Sequence, residues 1–178
     1  MAWTAPKTWS VGETLTAANF NTHIRDNLLA VGPHLIARKT SDQTVSNTTL
    51  TALTTLTLSV AANEVWRVEF FLLMDTSQAS DSAFRFTFPT GGETSFATWE
   101  VNESGGYGGQ QIWGDTTSPG GSTNVAGHTT KKIPLVITGI YANGANAGTL
   151  GMDFALATAS GGSTIAKTNS TLWAVKLV

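Results

Sequence analysis

From residue 35 onward, apolar and polar residues alternate with a period of two, the pattern of half-buried β-strands. Leu56, Leu58 and Val60 alternate with Thr55, Thr57 and Ser59. Over 65–75, Trp66, Val68, Phe70, Leu72 and Met74 share one face and Phe71 and Leu73 the other, so this strand is expected to be buried on both sides. Phe84, Phe86 and Phe88 alternate with Arg85 and Thr87 until Pro89-Thr90-Gly91-Gly92 turns the chain. Ala97, Trp99 and Val101 stand opposite Phe96, Thr98 and Glu100. Ile133, Leu135 and Ile137 follow, then Leu150, Met152, Phe154 and Leu156, and finally Trp173, Val175 and Leu177. Weaker segments near 36–46, 110–114 and 163–167 bring the total to about eight to ten strands. This count and alternation predict an all-β fold of two sheets packed face to face. Uneven connections favour a jelly-roll-like β-sandwich. The longest connection is expected from Asn102 to Thr130 and is about one quarter glycine. No repeat of fixed period is present.

The first 34 residues read differently. Residues 1–15 fit neither a helical nor a strand period and are expected to form an extended arm anchored by Trp3, Pro6 and Trp9. Such an arm cannot bury its tryptophans against itself. Thr16 is a suitable N-cap for one short helix over 17–31. Phe20, Ile24, Leu28 and Val31 form a narrow apolar stripe on it, and Gly32-Pro33 stops it. A stripe on so short a helix cannot stand alone. It either docks on the β domain or packs against the same helix of neighbouring subunits. The chain therefore divides into an anchoring and oligomerisation segment, 1–34, and a β-sandwich domain, 35–178.

Composition narrows the class. Of 178 residues only 12% are charged, about half the roughly 25% usual in soluble domains. Eighteen glycines, 29 threonines and 14 serines take their place. A hydrophobic content of 41% with six tryptophans excludes disorder. Scarcity of Glu and Lys argues against a helical bundle. A surface with so few charges is poorly solvated and is expected to be covered by copies of the chain or by partners. The net charge of −2, with no basic cluster, argues against nucleic acid as a partner. No apolar run has the length to span a bilayer, and the start does not read as a signal peptide.

Candidate chemistry is sparse. The absence of cysteine rules out disulfides, thiolate metal sites and a thiol nucleophile. His23, His34 and His128 form no metal-binding spacing, and no G-x-S-x-G elbow is present. Gly105-Gly106-Tyr107-Gly108-Gly109 lacks the Lys-Ser/Thr of a phosphate loop and lies between strands. Glu100 and Glu103 read as a solvated corner rather than a glycosidase pair, which needs carboxyls about 5–9 Å apart across a cleft. Asp75 and Asp81 bracket an oxygen-rich loop of a kind common in Ser/Thr-rich chains. The Asn47, Asn102 and Asn169 sequons occur at close to chance frequency. Trp99, Tyr107 and Trp113 flank the glycine-rich segment and are candidate glycan contacts, since aromatic faces stack on pyranose C–H faces. The competing reading places Trp99 and Trp113 in the core. Tyr107, held among four glycines, has the stronger claim to exposure. No cofactor is expected.

Three segments together carry a resemblance. Trp3-Thr4-Ala5-Pro6, Thr8-Trp9, Gly12-Glu13 and the run from Leu15 to Leu28 resemble the N-terminus of small virion structural proteins of tailed bacteriophages. The stretch from Val60 to Phe70 is similar to the first long strand of those proteins. Gly139-Ile140-Tyr141, the run from Ala147 to Ala155 and Ser170-Thr171-Leu172-Trp173-Ala174-Val175 are similar to their closing strands. No collagen-like or coiled-coil shaft is present, which favours a compact knob over a long fibre. The resemblance implies a non-enzymatic homotrimeric β-sandwich on the virion, assembled in the bacterial host cytoplasm and held by its arm. Its partner would be the major capsid protein, for a head decoration (cement) role, or a tail or baseplate protein, for a receptor-binding fibre recognising a host surface glycan. A stand-alone carbohydrate-binding module is the third reading.

Overall fold

The alternating segments form thirteen strands among the described residues, and every pairing between them whose register is given below is antiparallel. A computed structural model of the chain describes residues 5, 7–27, 34–76, 81–101, 107–113, 123–125, 133–159 and 161–177, by backbone alone at 100–101, 107–113 and 123–125. It divides into two units, Met1–His34 and Leu35–Val178. The strands are β1 (His34–Arg38), β2 (Gln43–Val45), β3 (Thr51–Ala52), β4 (Leu58–Val60), β5 (Val65–Thr76), β6 (Ser82–Thr87) and β7 (Glu93–Val101). After them come β8 (Tyr107–Trp113), β9 (Thr123–Val125), β10 (Ile133–Ala142), β11 (Gly148–Leu156), β12 (Thr164–Ala166) and β13 (Thr171–Lys176).

The larger sheet runs β1-β13-β5-β10-β7-β8, with β12 pairing β5 and β2 pairing β12; the smaller runs β3-β11-β6-β9, with β4 also on β11. β3 and β4 are successive pieces along β11, opposite Asp153–Phe154 and Gly148–Leu150. Counted as one strand, they complete two four-stranded sheets, β3/β4-β11-β6-β9 and β5-β10-β7-β8, between which the chain steps back and forth. That order is the jelly roll, two Greek keys closed into a sandwich. The segment 102–130, expected as one connection, contains β8 and β9, and the second half of the glycine-rich run belongs to β8.

Inward-facing residues of both sheets meet in one core. Phe70 of β5 and Phe96 of β7 pack on Phe86 of β6, with ring centroids 5.9 and 4.3 Å apart. Phe84 and Phe154 stack within the smaller sheet. Trp66, Val68, Leu72, Met74, Leu135, Ile137 and Tyr141 complete the larger sheet's side. The burial of β5 differs from expectation: its even positions are buried, but Phe71 is 38% exposed and Leu73 half-buried. The strand buried on both faces is β11 from Leu150 to Leu156. There Asp153 is covered and paired with the Arg85 guanidinium at 2.5 Å.

Three polar devices fix the ends of the sandwich. β1/β2 and β12/β13 break side by side, where the Lys39 N–H donates to the Ser170 carbonyl and the Asn169 N–H donates to the Lys39 carbonyl, both at 2.9 Å. The Lys39 side chain turns inward and donates to Gln43 Oε1 at 3.1 Å and the Thr54 carbonyl at 3.2 Å. Burial lowers its pKa, partly offset by the charge of Asp42. Nearby, the hydroxyls of Thr76, Ser82 and Thr164 form a buried ring with O···O distances of 2.6–2.8 Å. At the turns around 61–64 and 143–146, Asn143 Nδ2 donates to the carbonyls of Ala61 and Asn146.

In the first unit, Thr16 caps the helix as expected, its Oγ1 accepting from the Asn19 N–H at 3.2 Å. The helix is α over Ala17–Phe20 and then widens into a π-turn over Asn21–Arg25, where the Asp26 N–H reaches the Asn21 carbonyl. Helical geometry is described as far as Asn27. The expected remainder, 28–31, and its Gly32-Pro33 stop lie outside the described residues. The π-turn interrupts the regular α-period on which the stripe was read.

Candidate functional site

Sheets of antiparallel sandwiches ordinarily turn apolar residues inward and polar ones outward. The smaller sheet turns Ser59, Arg85, Thr87, Thr149 and Asp153 away from the core, although β11 is covered on that side as well from Leu150 to Leu156. The larger sheet mixes Arg67, Glu69 and Thr138 with large apolar residues on its outward face. Trp99 of β7 is 54% exposed and stands opposite Val136 of β10. Val136 in turn stands opposite Phe71 of β5, and Phe71 opposite Thr171 of β13. This makes one row across four strands. At about 4.8 Å per strand, Trp99 and Phe71 are roughly 9.5 Å apart. Half-buried Leu73, Pro134 and Trp173 and exposed Ile140 extend the row along the sheet. On its β8 side Trp99 is opposite Gly109, which has no side chain to cover it.

Of the three candidate glycan contacts, the structure therefore exposes Trp99. The core position on its strand belongs to Phe96 instead. Backbone pairing puts Tyr107 opposite Val101 and Trp113 opposite Ser95. Their side chains lie outside the described residues. The sequence reading missed Phe71, Val136 and Ile140 as surface residues.

The first unit carries the second exposed apolar group. Phe20 and Ile24 of the predicted stripe are 45% and 37% exposed; Leu28 and Val31 lie outside the described residues. Trp3 and Pro6 also lie outside them. Trp9 is 40% exposed and has an aromatic neighbour within its own unit. Its ring meets that of His23 edge-on, centroids 6.5 Å apart, and the Lys7 ammonium lies 5.2 Å from its centroid. Lys7 is itself ion-paired with Glu13. Hydrogen bonds from Lys7 and the Ser10 N–H hold the Glu13 carboxyl below its usual pKa. Around Trp9, the described part of the arm thus folds back locally on the helix.

Elsewhere, two ion pairs tie titratable groups into the sandwich. Glu64 accepts from the Ala61 N–H at 2.8 Å, the Trp66 indole at 3.1 Å and Lys176 at 2.8 Å. Lys167 pairs with Asp42, which raises the ammonium pKa. Glu103 and His128 lie outside the described residues, as does the loop between Thr76 and Asp81. Among the described residues, no three His, Asp or Glu side chains are grouped so as to hold a metal ion. No helix there is long and apolar enough to cross a membrane.

No family model and no curated protein matches the sequence. Among solved structures, the chain is similar to the tripod from the baseplate of bacteriophage Tuc2009, at 17% identity over 98% of this chain and 79% of that one, with a TM-score of 0.32. It is also similar to the VP2 subviral particle of infectious bursal disease virus, at 12% identity over 81% of this chain and 40% of that one, with a TM-score of 0.24. Neither likeness is close enough to carry a role over to this chain.

Proposed function

We propose that this chain is a non-enzymatic structural protein of a tailed-bacteriophage virion: a capsid decoration protein, displayed on the head as a homotrimer and held there by residues 1–34. The observation that carries this reading is the surface of the first unit. Trp9, Val11, Leu15, Phe20 and Ile24 are all exposed there, in a chain with too few charges to solvate such a surface. Residues of this kind are anchors awaiting a partner. The resemblance of the segments at 3–28, 60–70 and 139–175 to virion proteins supplies the kind of particle, with the major capsid protein as the partner. Binding by buried area, with no turnover, accords with the structural pairs Arg85–Asp153, Lys167–Asp42 and Lys176–Glu64. The test is copy number in purified particles by quantitative mass spectrometry. Hundreds of copies per particle support decoration; a handful moves the chain to the tail.

A second reading, a tail protein recognising host surface glycan, draws on the exposure of Trp99 alone. Retention on immobilised host polysaccharide, lost on Trp99→Ala, would favour it.

A further inference from the structure

We draw no further inference here: the strongest candidate, the outward face of the larger sheet around Trp99, Phe71 and Ile140, carries none because its apolar residues are mixed with Arg67, Glu69 and Thr138 and nothing in the structure shows what covers it.

Discussion

The Tyr141 phenol donates to Asn143 Oδ1 across 2.6 Å, joining the end of β10 to the turn that follows it. Asn143 donates its own amide protons to the carbonyls of Ala61 and Asn146, so one side chain ties two turns to the end of β10. Tyr141 is fully buried, and Gly92 packs so close that a Cβ there would lie 2.6 Å from the phenol oxygen. Tyr141→Phe strands the Asn143 oxygen in a dry site and should cost about 1–2 kcal/mol in urea unfolding. Burial also pushes the phenol pKa up to about 12. The folded chain then keeps a proton that the unfolded chain releases from about pH 10, so stability falls as pH rises beyond that point. The phenylalanine variant should lack this part of the alkaline decline.

Gly139 sits opposite Phe96 in the pairing of β10 with β7. A Cβ at this position would lie 2.0 Å from the Ser95 carbonyl oxygen and 2.7 Å from the Phe96 Cα. The space a side chain would take is filled by the ring of Phe96, which stacks on Phe86. Gly139→Ala should therefore destabilise by about 3 kcal/mol, the upper end for overpacking, since the obstacle is backbone and cannot rotate away. A fall in the denaturation midpoint with an unchanged slope would bear this out; an unchanged midpoint would contradict it.

Gly139 also shows where the sequence stopped being legible. Trp173, Val175 and Leu177 alternate out of phase with the buried Leu172 and Ala174, but the strands at 58–60, 66–70, 84–87, 133–137 and 150–156 announce themselves by period two, and with them the all-β sandwich. The phase of β7 does not, because both of its faces carry apolar residues. Phe96 faces inward because glycine on a distant strand makes room for it, which puts Trp99 outside. Similarly, Phe70-Phe71-Leu72-Leu73-Met74 has no alternation to read. A strand buried on both faces and one whose second apolar face is left exposed share that pattern. The two-residue β3 and three-residue β9 are too short for any period. Nothing in the local sequence marks Lys39 as buried, since its carbonyl acceptor comes from Thr54 and its backbone partners from Asn169 and Ser170. The π-turn after Phe20 follows no sequence signal that we can name.

Glu64 gives the acid side of the stability profile. Burial would raise its pKa, but hydrogen bonds from Lys176, the Ala61 N–H and the Trp66 indole, with the charge of Lys176, outweigh burial and lower it. A carboxyl whose folded pKa lies below its unfolded value contributes stability above the unfolded pKa, about 4.3. That contribution is lost as pH falls through the folded value. Glu64→Gln should therefore unfold more easily at pH 7, and the gap to wild type should close as both are taken into the acid range. A gap that stays constant from pH 7 to pH 2 would show that the carboxylate charge is not what stabilises this turn.

Removal of residues 2–15 separates the two roles proposed for the chain. Every described residue of the hydrophobic core lies at position 35 or beyond. Two tryptophans burying roughly 150–250 Å² each would contribute several kcal/mol at about 25 cal/mol per Å². Fixing fourteen residues costs on the order of 1–2 kcal/mol each, so the arm needs backbone hydrogen bonds from a partner as well as its anchors. The pairing of Trp9 with His23 and of Lys7 with Glu13 pre-arranges part of it and reduces that cost. Three arms on each trimer would then add avidity to weak single attachments. The truncated chain should keep its β-sheet circular dichroism and its trimeric mass while losing attachment to particles. Normal occupancy of particles by the truncated chain would assign attachment to the jelly roll and leave the exposed apolar residues of the arm without a role.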